Sequence, residues 1–339
     1  MAKIRIGVLC PSEIAFRRFM PALHKQSDFD FVGISYANEL EWFGKESSGN
    51  DQSILIKERE KAQNFVNTYG GRLFESYSQL LTSADIDAVY LPLPPALHFQ
   101  WGKMALENGK HLFMEKPFTT SLRDTKELIS IAEHKELVLH ENYMFQYHSQ
   151  LDWILQAVSN GRIGELRLVR IAFGFPFRGA NDFRYNKALG GGALLDCGGY
   201  TVKLASILLR QSARIVTSQL NGKDGFEVDI YGSATMVNDE GLVAQMSFGM
   251  DNSYKCELEL WGSDGVLYTN RILTAPDGFE PTIVVKNADG EQAHTLLTDD
   301  SFAKSIQTFG HGIDSAEERE AMYVAIRKQS ELVECFSKE

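Results

Sequence analysis

Two cysteine chemistries are missing from this chain of 339 residues. Its four cysteines, Cys10, Cys197, Cys256 and Cys335, lie far apart and form no CxxC pair. Neither a zinc site nor a dense disulfide framework is therefore expected, no metal is assigned, and a reducing cytoplasm fits best. Runs rich in Lys and Arg are missing too. With 34 basic residues against 45 acidic ones and a formal charge of −11, the chain lacks the attraction that drives phosphate-backbone binding, which excludes nucleic acid as an expected partner. No stretch of ~20 apolar residues stands out, and the opening MAKIRIGVLCPSEIAF reads as a first buried strand rather than a signal-peptide core, so no membrane partner is expected. Low complexity and internal repeats are also absent.

What is present is an ordinary globular composition at a length beyond that of one hydrophobic core, which predicts two domains. Ile4 to Leu9 is a short apolar run entering the turn-forming CPSE. The helical-looking IAFRRFMPALHKQ follows, and Phe29 to Ile34 is apolar again, making a βαβ unit. Gly33, inside the second strand, reads as a close approach of two backbones rather than a ligand contact. Residues from about Glu39 to Ser53 are polar and rich in Gly, Ser and Asn, and read as a surface loop. Helical patterns at Ile56 to Tyr69, Tyr77 to Ala84, Phe99 to Asn108 and Leu122 to Lys135 then alternate with strands at Ala88 to Leu91, His111 to Met114 and Val138 to His140. This is the rhythm of an α/β Rossmann domain with a doubly wound parallel sheet, over residues 1–141.

After about Gln146 strands follow one another with little helix: Leu166 to Phe173, Ile215 to Leu220, Glu227 to Val237, Leu242 to Phe248 and Lys255 to Trp261. Residues 142–339 are expected to form an α+β domain with a large, mainly antiparallel open sheet, for substrate binding and oligomerisation. In YKCELELWG, Cys256, Leu258 and Leu260 share one face while Glu257, Glu259 and Trp261 share the other. One sheet face is thus a candidate oligomer surface. Glu317 to Phe336 closes the chain as an amphipathic helix, with Met322, Ile326, Leu332 and Phe336 near one stripe.

Between the first strand and helix a dinucleotide-binding protein usually carries GxGxxG, whose glycines permit a tight turn and let N–H groups approach a pyrophosphate. In CPSEIA, Cys10 and Ser12 take the first two glycine positions and Ala15 the third, so a plain strand–turn–helix explains the segment as well. Glu115-Lys116-Pro117 follows a parallel strand, at the carboxyl edge where doubly wound sheets bind ligands. A lysine there suits a substrate oxygen on which charge develops; a surface lysine beside a helix-starting proline is the competing reading. In LGGGALLDCGGY a glycine run leads into an apolar helix, and the spacing of Asp196 and Tyr200 stacks them on one helical face. A helix-capping aspartate with Tyr200 as core filler remains open. At the end of the second strand, where NAD-binding sites place a carboxylate on the ribose, Ser35 and Tyr36 stand instead. Nothing there repels a 2′-phosphate, and Arg17 or Arg18 is available to attract one. NADP is the expected cofactor; NAD stays open because Glu39 follows closely.

In this order, VYLPLPPALHFQWGKMALENGKHLFMEKPF, ENYMFQYHSQ, the strand after GRIGELRLVR, and NDFRYNKALGGGALLDCGGY resemble the glucose-fructose oxidoreductase/inositol dehydrogenase family (Gfo/Idh/MocA) over most of the chain. The resemblance implies a catalytic set of Lys116, on the family's EKP lysine, and Asp196 and Tyr200, on its D-x-x-x-[H/Y] pair. Many members carry histidine where Tyr200 stands; the tyrosine is similar to the glucose-fructose oxidoreductase, dihydrodiol dehydrogenase and nucleotide-sugar ketoreductase branches. Cofactor contacts are implied for Cys10, Ser12, Glu13, Ile14, Ala15, Ser35, Tyr36, Leu91, Pro92, His98, Glu115, Lys116 and Asn142. Arg184 and Tyr185 are candidates for substrate hydroxyls or a phosphate, with a local ion pair as the alternative for Arg184.

The implied reaction is hydride transfer between the nicotinamide and a carbinol or ketone carbon of a sugar-like substrate, preferably a nucleotide-linked ketosugar, with Tyr200 handling the proton. A free phenol, with a pKa of ~10, is protonated at neutral pH and so suits reduction. A glycosidase using transient sugar oxidation and a non-catalytic dinucleotide-binding regulator are the alternative functions. The resemblance also implies a homodimer or homotetramer, because the family's open sheet commonly packs against another copy.

Overall fold

The computed structural model describes residues 3–44, 52–210 and 212–337. The chain divides into two compact units, the first made of residues 1–119, 123–142 and 302–327, the second of 120–122, 143–301 and 328–339.

In the first unit, β1 (Ile4–Val8), β2 (Phe29–Ser35), β3 (Arg72–Phe74), β4 (Ala88–Leu91), β5 (His111–Glu115) and β6 (Leu139–Asn142) form a parallel sheet in the order β3-β2-β1-β4-β5-β6. The expected doubly wound sheet is present. The strand order reverses between β1 and β4, so the crevice outside their carboxyl ends is the place where such a sheet takes a ligand. Every residue of β4 is buried, as a strand covered on both faces requires. Phe19 stacks on Tyr90 with ring centroids 3.8 Å apart, and Phe113 meets both edge-on. From α9 (Ser301–Asp314), Phe309 closes on Phe113 at 5.4 Å. The last helix, α10 (Ala316–Glu334), buries Tyr323 and Ile326.

Part of the segment read as a loop is helical. Glu39–Phe43 forms a short helix because Asn38 and Glu41 make a reciprocal capping box, and Gly44 ends it in the left-handed region at φ 79°. Residues 45–51 of that segment lie outside the described residues, and Ser53 already begins the next helix. Strand β3 was not expected, since only Phe74 of its three residues is buried. The reading of Gly33 depends on that strand: a Cβ there would stand 2.1 Å from the Arg72 carbonyl oxygen, a close approach that only glycine permits.

In the second unit, β7 (Leu166–Gly174), β8 (Arg214–Asn221), β9 (Tyr231–Val237), β10 (Val243–Gly249), β11 (Lys255–Gly262), β12 (Gly265–Asn270), β13 (Thr282–Asn287) and β14 (Gly290–Thr295) form one eight-stranded sheet in the order β14-β13-β12-β11-β7-β10-β9-β8. Of its pairings, only β7 with β10 is parallel. In β11 (Lys255–Gly262), Cys256, Leu258 and Leu260 face inward and Trp261 is half exposed. Strand β9 (Tyr231–Val237) starts later than the apolar pattern predicts, because Asp229 is diverted: its carbonyl accepts the Ala193 N–H at 2.8 Å and its carboxylate the Leu194 N–H at 2.6 Å. Three further strands, β12 (Gly265–Asn270), β13 (Thr282–Asn287) and β14 (Gly290–Thr295), escaped the pattern; β14 buries no residue.

Helix α8 (Gly199–Leu209) packs on β7 and on β10 (Val243–Gly249), and a Cβ on Gly198 would already touch the Phe248 ring at 3.0 Å. The stretch Lys187–Leu209 is, by length and composition, apolar enough to cross a membrane, which the sequence reading overlooked. However, 78% of its apolar window is buried, as in a core helix of a globular protein.

Candidate active site

The candidate cofactor residues of the first unit sit at the carboxyl edge of the parallel sheet. The turn after β1 contains no glycine, and among its described residues none has a positive φ. This is why the eroded fingerprint is tolerated. Ser12 Oγ accepts the Ala15 N–H at 3.2 Å, and a π-helical turn over Ala15–Phe19 begins the helix. Ser12 is half-buried, while Glu13 and Ile14 are exposed. First-turn amides have no acceptor within their own helix, so this turn has the chemistry to meet a pyrophosphate. Cys10 and Ala15 are buried; burial drives the Cys10 thiol far above its usual range, and its Sγ contacts the Pro92 carbonyl at 3.4 Å.

Other expected cofactor residues serve the scaffold. Ser35 is fully buried and its hydroxyl donates to the Leu9 carbonyl at 2.8 Å. The Tyr36 hydroxyl donates to Glu75, whose other oxygen lies 3.7 Å from Arg59. Burial, and then Glu75, push the Tyr36 phenol above its usual pKa. Sequence reasoning missed Arg59 and Glu75; they enter through α3 (Ser53–Tyr69) and the end of β3, and neither lies near Tyr36 in the chain. Arg18 turns toward the Phe302 ring, 5.4 Å away, and Glu39 accepts from Gln52 at 2.9 Å. Leu91 and Pro92 are buried.

His98 is held within the scaffold. It is 0% exposed, with Nδ1 2.8 Å from the Pro117 carbonyl and Nε2 2.7 Å from that of Leu93. Its ring ties the loop after β4 to the loop after β5 instead of presenting a nitrogen to a ligand. Burial lowers its pKa, against the pull of those carbonyls. Beside it, the Lys116–Pro117 peptide bond is cis, Lys116 is partly exposed, and the Glu115 carboxylate accepts from Tyr90 and from Asn142, each at 2.7 Å. Burial raises the Glu115 pKa, opposed by those two donors and by Lys116.

The D-x-x-x-Y segment belongs to the second unit and has its own surroundings. The glycine run is required where it stands: a Cβ on Gly191 would meet the Arg184 carbonyl at 2.3 Å, and Gly192, at φ 124°, would place one 2.4 Å from Asp229 Oδ1. Asp229 thus caps the start of the helix bearing the D-x-x-x-Y pair; burial raises its pKa, against the Leu194 N–H it accepts. Asp196 lies in a π-helical turn, Leu194–Gly198, whose bond from Gly199 N–H reaches back to the Leu194 carbonyl; Tyr200 follows in α8. The regular helical stacking expected for the pair is therefore interrupted by a wider turn of the sort that recurs at functional sites. Tyr200 is 7% exposed, and its ring packs edge-on against Tyr143 at 5.1 Å and Phe173 at 5.4 Å.

Arg184 is an ion-pair residue. Its Nε donates to Asp196 Oδ2 at 2.9 Å and its Nη1 to Asp182 Oδ1 at 3.1 Å. Burial works against its charge, but the two carboxylates prevail and hold its pKa above the ordinary value. Tyr185 is buried, and its hydroxyl donates to the Met250 carbonyl at 2.7 Å, which anchors the loop rather than offering a substrate donor. Asp182 and Asp229 were missed. The former carries a signal, since an Asp before Arg at this spacing favours an Asx turn, here the Arg184 N–H to Asp182 Oδ1 at 3.0 Å. Among the described residues, no group of His, Cys, Asp and Glu is arranged to hold a metal ion.

Comparison with known proteins accounts for this division. Residues 16–143 match the model of an oxidoreductase family with an NAD-binding Rossmann fold, and residues 153–268 match the GFO/IDH/MocA C-terminal domain. A dTDP-3,4-didehydro-2,6-dideoxy-alpha-D-glucose 3-reductase from Actinomadura kijaniata is 34% identical over 93% of this chain and 89% of its own. The enzyme of that name from Streptomyces violaceoruber is 34% identical over 98% and 94%. The crystal structure of a 3-ketoreductase from Actinomadura kijaniata in complex with NADP and TDP-benzene superposes with a TM-score of 0.89 at 32% identity, covering 99% of this chain and 97% of that one. An aldose-aldose oxidoreductase from Caulobacter crescentus shares the fold, with a TM-score of 0.82 at 17% identity. The chain belongs to the Gfo/Idh/MocA family of NAD(P)-dependent oxidoreductases.

Proposed function

We propose that this enzyme reduces a keto group on a nucleotide-linked sugar, with NADPH as the hydride source. The observation that carries the reading is that EKP and D-x-x-x-Y sit in folded surroundings that serve them, within a chain 34% identical to two dTDP-ketosugar 3-reductases over most of its length. The cofactor supplies the hydride when bound, and the Ser12–Ile14 turn and the carboxyl ends of β1 and β4 hold it. Lys116 donates a hydrogen bond to the substrate carbonyl oxygen and offsets the charge that grows there. Tyr200 delivers the proton to that oxygen; its neutral phenol is the form that reduction consumes. Asp196, paired with Arg184, orients a neighbouring substrate hydroxyl. Tyr36 at the end of β2 supplies no carboxylate of its own, and Arg59 adds a cation nearby, set against the Glu75 carboxylate that faces both; the absence of a side-chain acid at position 36 and the Arg59 charge favour a 2′-phosphate. The open sheet of the second unit, which carries Trp261 and Tyr268 exposed, joins a second copy.

The test begins with separate titrations of NADPH and NADH by tryptophan quenching, then offers dTDP-linked 3-ketosugars, free aldoses and cyclic diols. Tighter NADPH binding and turnover of the dTDP-ketosugars are expected. Hydride transfer to the diols or aldoses alone would move the enzyme to another substrate class. Lys116→Ala should lose most turnover, by 100-fold or so, while its affinity for NADPH stays within about threefold; equal loss of both would remove Lys116 from the reaction.

A further inference from the structure

Beneath the Lys116 loop the first unit contains a run of buried polar side chains that the proposed reaction does not use. Asn142 and Ser305 are 0% exposed and His140 is 1% exposed. Asn142 Nδ2 lies 2.7 Å from Glu115 Oε1, Ser305 Oγ is 2.9 Å from Asn142 Oδ1, and His140 Nε2 is 2.8 Å from Ser305 Oγ. Tyr90 adds its hydroxyl to the same oxygen of Glu115 at 2.7 Å.

The proton direction along this run is determined by what each group can do. A carboxylate only accepts, so the Asn142 amide must turn its NH2 to Glu115 and its oxygen to Ser305. Ser305 donates its proton to that oxygen and faces His140 with a lone pair. His140 must therefore carry its proton on Nε2. A flipped amide would set oxygen against oxygen at Glu115, cost that carboxylate one of its two donors, and turn the Ser305 proton toward His140 instead.

We propose that Ser305 and His140 are positioning residues for Lys116. They fix the amide of Asn142, the amide fixes the Glu115 side chain, and Lys116 projects from the adjoining backbone. Downstream the same loop is pinned by the Phe118 N–H on Glu141 at 2.9 Å and by His98 on Pro117. Ser305 thus acts from α9, 163 residues away in sequence from Asn142. This inference rests on the assignment of Lys116 to the reaction.

Three variants of the full chain test it: Ser305→Ala, Ser305→Thr and His140→Phe. The phenylalanine preserves the stack on Phe113, now at 4.5 Å, and removes the ring nitrogens, the Nε2 donor among them. Single-turnover reduction of a dTDP-linked 3-ketosugar, NADPH affinity and melting temperature are measured on each. In parallel, the ring nitrogens of His140 are observed by 15N NMR, and the signal of 13C-dimethylated Lys116 is assigned by its loss in Lys116→Arg. Ser305→Ala and His140→Phe should lower the hydride-transfer rate roughly tenfold or more, since a misplacement of ~1 Å at a reacting group costs on the order of 100-fold. NADPH affinity should stay within about twofold, the Lys116 signal should move, and Ser305→Thr should restore both rate and signal.

Wild-type rates in Ser305→Ala and His140→Phe, or a wild-type His140 protonated on Nδ1, would overturn the proposal. If the wild-type protein reduces no ketosugar, the substrate assignment falls. The His140 tautomer and the Lys116 signal in Ser305→Ala then still decide the relay, an unmoved Lys116 signal counting against it.

Discussion

Arg184 offers the sharpest quantitative test of the surroundings of Asp196. Its side chain is 21% exposed and lies between Asp196, 11% exposed, and Asp182, 22% exposed. Replacing it with methionine keeps much of the packing volume and removes the charge that both carboxylates face. Exposed ion pairs contribute ~0.2–1 kcal/mol, whereas breaking a buried pair costs about 3–5 kcal/mol because a bare charge is left behind. With about a tenth to a fifth of each side chain still in contact with water, the loss for Arg184→Met should fall between these limits, at roughly 2 kcal/mol. Most of it should come from the more buried Asp196. A double-mutant cycle with Asp196→Asn, followed by urea unfolding, isolates that share as a coupling of about 1–2 kcal/mol, with the double variant less destabilised than the sum of the single ones. Additivity within ~0.4 kcal/mol would refute the ion pair as the element that holds Asp196 in its π-helical turn.

Stability should also depend on pH through His111. Burial, and then Arg319, lower its pKa to about 4, and its Nδ1 accepts the Val138 N–H at 3.1 Å, a bond that protonation of that nitrogen removes. The unfolded chain binds this proton near pH 6.5 while the folded one resists it, so stability present above ~6.5 is lost as the pH falls toward 4, by at most about 3 kcal/mol. The urea midpoint of the wild-type protein should fall faster over that window than that of His111→Gln; parallel curves would remove His111 from the account. Gly192→Ala should destabilise the second unit by about 2–3 kcal/mol, from the positive φ together with the collision with Asp229. Measured against Asp229→Ala, which already lacks the cap on Leu194 and the collision, Gly192→Ala should cost only the backbone term, and no cost there in urea unfolding would show that the backbone angle costs nothing.

The two sheets were legible in the sequence to different degrees, for physical reasons. A parallel strand buried on both faces, such as AVYL, is apolar without interruption, and that signal survives in isolation. Edge strands carry no such signal: RLF buries one residue and GEQAHT none, and their place is dictated by neighbouring strands. Lys116, Asp196 and Tyr200 stand out in the sequence because two short motifs mark them. Arg59, Glu75, Asp229 and Ser305 reach their partners only through tertiary folding, and no local pattern announces them. For His98, Ser35 and Tyr185 the sequence showed a polar side chain near the site; the structure shows its hydrogen bonds already committed to the scaffold, a distinction that depends on burial rather than residue type.

The return of residues 302–327 to the first unit has a consequence for how the protein is made. When the ribosome has released residue 142, all six strands of the parallel sheet exist, but Phe302, Ser305 and Phe309 do not. Phe113 then has no Phe309 against it, and Asn142 has no hydroxyl on its amide oxygen. The N-terminal sheet must wait, incompletely covered, while the whole eight-stranded sheet is synthesised. The first unit begun is thus completed only after nearly all of the second has been made, and its uncovered apolar face is the surface that a nascent-chain chaperone would meet.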